Sequence, residues 1–292
     1  MRKERAYRQY RKLITDVTHG FRKRFRKALS NIPKNRIGSV LGKNCLKRNH
    51  TDDTFCNPYK TMIQATNLTK RYNGQTALNN LNLTVHSGEI FGLLGQNGAG
   101  KTTTIHLFLG LIAPDDGTAT INHVDVASHP HESKKHLGYL PETVMLYPNL
   151  TGIENLDFFS QLAGFRYAKG ELAQYLSRAG LQKQAHHQRL SGYSKGMRQK
   201  VGIAIALAKQ AKALFLDEPT SGLDPKASNE FSEILKELSA QGTAILMATH
   251  DIFRAREVAH RIGIMKEGNL VSVTDAAAIS ANELEQLYLQ TV

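Results

Sequence analysis

Apolar positions along the chain follow two rhythms. Short runs at Met62–Thr69, Ala77–Val85 and Ile90–Leu94, bounded by the turn pairs Asn73-Gly74 and Ser87-Gly88, predict strands, and a helix-forming run begins at Gly100. Farther on, Ala213–Leu216 and Ala244–Thr249 are short and almost free of polar residues, as buried parallel strands are. The second rhythm has a period of three to four. Leu156, Phe159 and Leu162 make a helical stripe that reads as core or docking face, not as a cofactor box. The same period organises residues 7–32, where Tyr7, Tyr10, Ile14, Val17, Phe21, Phe25, Leu29 and Ile32 predict one face of a helix with Gly20 as its weak point. The longest apolar stretch, Val201–Ala208, falls far short of the ~18 residues a membrane-spanning helix needs. No continuous apolar signal opens the chain, so a soluble or peripheral protein is expected.

Charge divides the chain in two. Of its 292 residues, the first 61 hold 17 Lys and Arg against 4 Asp and Glu, whereas residues 62–292 hold 21 of each sign. The whole excess of +13 therefore belongs to an N-terminal arm. Its helix pattern is cationic and amphipathic, and three readings are open: a disordered leader or mis-assigned translation start (with a transit peptide as one variant), contact with an anionic membrane surface, or contact with nucleic acid. Both cysteines, Cys45 and Cys56, lie in this arm. The neutral body owes nothing to a disulfide, which suits a reducing compartment, and it is long enough to bury a large core.

Candidate chemistry begins directly after the run Ile90–Leu94. Gly95-Gln96-Asn97-Gly98-Ala99-Gly100-Lys101-Thr102 is Gly, four residues, Gly-Lys-Thr between a strand and a helix, the layout of a phosphate-binding loop. Glycines let backbone N–H groups converge on phosphate oxygens, the helix N-terminus adds partial positive charge, Lys101 reaches the outer phosphates and the Thr102 hydroxyl can ligate Mg²⁺. Asp217-Glu218 ends a buried strand at its carboxyl end, where such sheets bind ligands. Asp217 is expected to hold Mg²⁺ through water, and Glu218 to act as general base or to orient the attacking water.

The segment Leu216-Asp217-Glu218-Pro219-Thr220-Ser221-Gly222-Leu223-Asp224-Pro225 resembles the Walker B and D-loop segment of the ABC ATPases. Other segments agree in order and spacing. Tyr72 stands where the family stacks a ring on adenine, Leu140-Pro141-Glu142 occupies the Q-loop with Glu142 in place of the usual Gln, and His250 follows its strand as the switch histidine does. Tyr193-Ser194-Lys195-Gly196-Met197 resembles the signature motif, and the earlier Leu190-Ser191-Gly192 reads as a decoy out of register. The resemblance covers residues 62–273 and none of the arm.

It implies an α/β fold: a P-loop core with a mostly parallel sheet, an antiparallel β subdomain and a helical subdomain at about residues 143–209, all within one nucleotide-binding domain at 62–292. It implies ATP and Mg²⁺ as cofactors. The ATP contacts would be Tyr72, Gly95, Gln96, Asn97, Gly98, Ala99, Gly100, Lys101, Thr102, Thr103 and, from a second subunit, Ser194 and Gly196. Glu218, His250 and Lys101 would carry catalysis. Thr102 and Asp217 would bind the metal, joined by Glu142 because a carboxylate suits a hard cation better than an amide; a role of Glu142 facing the permease stays open. The resemblance further implies a homodimer that sandwiches two ATP molecules head to tail, docked on a separate transmembrane permease at the inner face of the cell membrane. Gly138–Glu142, Leu146–Thr151 and Tyr193–Gln199 look most like ATPases of ABC-2-type exporters, whose cargo this subunit does not encode. A soluble ABC ATPase acting on nucleic acid or ribosomes is the rival, and the neutral, single-domain body weighs against it. His129, His131 and His136, and the pair His186-His187, are expected in solvated polar connections rather than in a metal site.

Overall fold

A computed structural model describes residues 60–291, so the helix expected over 7–32 and both cysteines lie outside the described residues. β1 (Thr61–Tyr72) and β2 (Gln75–His86) pair antiparallel around Asn73-Gly74, whose φ angles are +49° and +82°. Asn and Gly tolerate this left-handed turn, whose twist matches that of the strands. β3 (Ile90–Gly95) is buried along its whole length and delivers the phosphate-loop segment to α1 (Lys101–Phe108). β4 (Asp116–Ile121) and β5 (Val124–Asp125) complete an antiparallel sheet of order β2-β1-β4-β5. The short α2 (Pro130–Ser133) then leads to β6 (Leu137–Leu140).

Helices fill the next stretch: α3 (Gly152–Leu162), α4 (Lys169–Arg178) and α5 (Lys195–Ala208), with 3₁₀ turns at Lys183–His187 and Leu190–Gly192. The remaining elements are β7 (Ala213–Asp217), α6 (Pro225–Ala240), β8 (Ala244–Thr249), α7 (Ile252–Val258), β9 (Arg261–Lys266), β10 (Asn269–Asp275) and α8 (Ala281–Thr291). The second sheet runs β10-β9-β3-β8-β7-β6. Its neighbours from β9 to β6 are parallel and β10 is an antiparallel edge. β3, β7 and β8 are buried at every position, which is why they read as unbroken apolar runs.

Two buried clusters hold these layers. One joins Phe91, Phe108 and Phe215 to the antiparallel sheet, and the other runs from Leu214 and Leu216 through Val201, Ile203 and Ala204 of α5 to Leu156 and Leu172. The apolar stretch Val201–Ala208 is thus the core-facing end of α5. Of the stripe on α3, Leu156 is buried whereas Leu162 is 68% exposed, because the helix leaves the core at its last turn.

Local chemistry fixes where the helices start. Thr151 and Glu154 form a reciprocal capping box at α3. Buried Asn155 bonds Tyr147 N–H, Tyr147 C=O and Thr151 C=O, pinning the preceding loop. The expectation of a solvated His186 is corrected: its side chain is buried and its Nε2 lies 3.0 Å from the Leu181 carbonyl. The adjacent 3₁₀ turn folds it inward, and a carbonyl partner makes burial of the ring tolerable. His129 and His131 are exposed around α2.

Candidate functional site

The phosphate loop closes at Gly100, which takes φ +103° as N-cap of α1; a Cβ there would stand 2.7 Å from the Ala77 carbonyl oxygen. No other residue satisfies both the angle and the approach. Gly98 also has positive φ, +85°, and nothing lies within 4 Å of where its Cβ would be, so its backbone faces open space on the cleft side. That cleft, about 230 Å³, has Gln96, Asn97, Gly98, Lys101, Thr102 and Thr103 on one side and Glu142, Asp217 and Glu218 on the other. β3 supplies the first wall and β6 and β7 the second, all at their carboxyl ends.

Lys101 is 5% exposed. Its Nζ donates to the carbonyls of Gly95 (2.6 Å) and Gln96 (3.1 Å) and faces Glu218 Oε1 at 3.6 Å. Thr102 donates its hydroxyl to Asp217 Oδ1 at 3.3 Å. Burial raises the Asp217 carboxyl above its ordinary value; the Thr102 hydroxyl opposes that shift, and the charge of Glu218 adds to it.

Glu218 is held under strain. Its φ is +47°, a left-handed conformation that costs a non-glycine residue of order 1 kcal/mol, and its N–H bonds the Ala248 carbonyl at 2.9 Å. Pairing with β8 dictates that backbone, and the result turns the side chain toward the loop. Oε2 meets His250 Nδ1 at 2.9 Å and the His250 N–H at 3.3 Å. Among the described residues Oε1 is buried without a hydrogen-bond partner, and it faces the Lys101 ammonium.

The other predicted residues are distributed around this centre. Ala99 is buried beneath the loop. Tyr72 ends β1, 44% exposed, with Lys70 Nζ 5.4 Å from its ring centre. Ser194 is exposed and caps α5, its hydroxyl accepting the Met197 N–H at 3.3 Å, which places the helix start at Ser194 rather than at Ser191. Gly196 is buried against Ala227 and Leu223, where a Cβ would stand 3.5 and 3.6 Å from their side chains. Tyr193 anchors this turn by donating its buried hydroxyl to the Ala185 carbonyl, and burial raises that phenol above its usual value. Ser194 and Tyr72 do not line the cleft formed by Lys101, Asp217 and Glu218.

Glu142 does line it, yet its Oε1 accepts the Ser221 hydroxyl at 3.0 Å and faces Lys195 Nζ at 3.8 Å. Sequence reasoning missed both partners. Ser221 gives no signal at that distance along the chain, while Lys195 offered one: a basic residue in one motif complements the acidic departure in another.

A glycine-rich loop between β3 and α1, facing paired acids at the end of β7 in a mostly parallel sheet, defines a P-loop nucleotide-binding protein. Residues 78–221 match the ABC transporter family. The chain is 40% identical over 211 residues to the bacitracin transport ATP-binding protein of Enterococcus faecalis, covering 72% of this chain and 68% of that one. It is 34% identical over 214 residues to the linearmycin resistance ATP-binding protein of Bacillus subtilis, covering 73% and 68%. Among solved structures, an ATP-binding subunit of an ABC transporter superposes with a TM-score of 0.69 at 30% identity, covering 79% of this chain and 99% of that one. A dimeric ATP-binding cassette bound to ADP and Pi superposes with 0.66 at 28% identity, covering 74% and 99%. The chain belongs to the ATP-binding subunits of the ABC transporter family. It is an ATP hydrolase, of the type found in ABC-2 exporters.

Proposed function

We propose that the chain drives export as a homodimer that closes on two ATP molecules and docks, from the inner face of the cell membrane, on a separate permease. The observation that carries this reading is the Lys101–Glu218–His250 constellation: a carboxylate with one oxygen tied to His250 and the other left buried and unbonded, beside a buried ammonium. Among the described residues no helix is long and apolar enough to cross a membrane, so the span is assigned to a partner. The export assignment rests on relatives named for bacitracin transport and linearmycin resistance; this chain's own cargo is left to its permease.

In the reaction, Lys101 leaves the loop carbonyls for the outer phosphates of ATP. Glu218 Oε1 orients water for in-line attack at the γ-phosphorus and takes its proton as the new P–O bond forms and the β–γ bridge breaks. His250 keeps Oε2 from rotating away, which preserves that aim. Thr102 and Asp217 fit Mg²⁺: a hydroxyl and a carboxylate, both hard oxygen donors, already face each other, and a cation between them would relieve the burial cost of Asp217. Bound there, Mg²⁺ would offset phosphate charge. Glu142, expected as a third ligand, has its Oε1 on Ser221 and Lys195, so Thr102, with Asp217 acting through water, would hold the metal. Ser194 is assigned to the γ-phosphate on the facing subunit.

Removing the carboxylate without removing phosphate contacts tests the reading. Glu218→Gln should retain ATP binding, lose about 10²–10³-fold in turnover and accumulate as an ATP-held dimer in sizing experiments. A monomeric Glu218→Gln protein with normal hydrolysis would refute the assignment.

A further inference from the structure

Glu142, Asp217 and Glu218 bring three carboxylates to one cleft that a triphosphate must enter. Glu218 already faces Lys101 at 3.6 Å, and Asp217 faces the Thr102 hydroxyl. Glu142 has a different arrangement. Its Oε1 is shared between Ser221 Oγ, on the loop after β7, and Lys195 Nζ, on the first residue of α5. The same ammonium lies 3.6 Å from where a Cβ on Gly222 would stand, so it is seated over that loop rather than extended into solvent. One turn along α5, buried Gln199 donates to the Pro219 carbonyl. The start of α5 is thus tied to the loop after β7 directly by a neutral buried bond, and indirectly through Glu142, whose Oε1 meets both Lys195 and Ser221.

We propose that Lys195 is a positioning residue for nucleotide entry: it neutralises Glu142 and keeps that carboxylate on Ser221, so that the phosphates do not meet an unpaired third acid. The proposal rests on the ATPase reading above. The neutral Gln199–Pro219 bond keeps the helix in place without Lys195, so removal of the lysine frees a charge rather than unseating α5. The side chains of Lys195 and Glu142 are 34% and 55% exposed, and solvent screens them. A pair of this kind is worth up to ~1 kcal/mol, equivalent to about fivefold in an equilibrium.

Steady-state ATPase kinetics of the full chain with Mg²⁺-ATP test it. Lys195→Met should raise KM about three- to fivefold with kcat within about twofold, because the effect is on entry of charge and not on water activation. Lys195→Arg should keep the wild-type KM. Adding Glu142→Gln to Lys195→Met should bring KM back to within about twofold of wild type, since no unpaired charge then remains. A merely structural lysine would give a defect indifferent to the charge at position 142. An unchanged KM in Lys195→Met, or a defect that persists in the double variant, overturns the proposal while leaving the ATPase reading standing. A wild-type chain without ATPase activity would instead overturn the reading on which it rests.

Discussion

At the N-terminus of α1, Lys101 is 5% exposed, bonds two carbonyls and faces a strained glutamate; at the N-terminus of α5, Ser194 is exposed and bonds the N–H of its own Met197. Both helix ends can receive phosphate, through unpaired N–H groups and the helix dipole. The first, however, is assembled with its catalytic partners inside one chain. The second is exposed and does not line the cleft that holds Lys101 and Glu218. The difference teaches that a site can be complete in chemistry and incomplete in geometry: one half is preorganised by burial, and the other waits for a surface to complete. In the homodimer proposed above, a second copy of the chain would satisfy this reciprocally, since each copy would offer what the other lacks.

The sharpest way to break the comparison is to damage the two ends in different chains. Lys101→Ala and Ser194→Arg proteins are each expected to be inactive alone, by about 10²-fold or more. Mixed in equal amounts, half of the randomly formed dimers carry one intact site, and turnover should return to about a quarter of wild type. The ATPase rate of the mixture, compared with the two separate proteins, decides this. Silence in the mixture would mean that Lys101 and Ser194 serve one chain, contrary to the proposed exchange.

What could be read in the sequence follows the same division. The phosphate loop was legible because Gly95, Gly98, Gly100 and Lys101 fall within one seven-residue segment, and each answers a demand of backbone angle, close approach or charge. Asp217 and Glu218 were legible from the buried strand before them. The left-handed backbone of Glu218 was not, since it arises from the N–H of Glu218 pairing with Ala248 across the sheet. Nor was the meeting of Glu142 with Ser221 and Lys195, which depends on how two loops and the start of α5 converge. His186 was misjudged for a related reason: a polar sequence neighbourhood says nothing of the Leu181 carbonyl that the 3₁₀ turn brings to it.

Burial at the first end has a cost that can be measured without ATP. Because burial raises the Asp217 carboxyl, the folded chain takes up that proton before the unfolded chain does. The stability contributed by this proton is present below the unfolded value of ~3.9 and is lost as pH climbs through the raised folded value. Asp217→Asn removes the charge, so it should raise the melting temperature at neutral pH, with the gain fading as both proteins are acidified. A lower melting temperature for Asp217→Asn at pH 7 would show that Thr102 and its neighbours more than offset the desolvation.

The smallest expected effect concerns the basic arm, which we propose is dispensable to both ends of the site. Every residue assigned to nucleotide, metal or catalysis lies at Tyr72 or beyond, and the charge excess ends at residue 61. A chain beginning at Met62 should therefore hydrolyse ATP at the wild-type rate. Its stability should differ slightly, for a reason visible in β1. The Lys60 carbonyl accepts the Ser87 N–H at 2.9 Å, and Thr61 pairs with His86, so a start at Met62 removes the first rung of the antiparallel sheet. Losing one such bond at a strand end costs about 1 kcal/mol, whereas a start at Lys60 retains it. Melting of the two shortened chains against the full chain separates the contributions: the Lys60 start should match the full chain and the Met62 start should melt a few degrees lower, about 2–4 °C for a body of this size. A large loss in both would mean that the arm packs on the nucleotide-binding body.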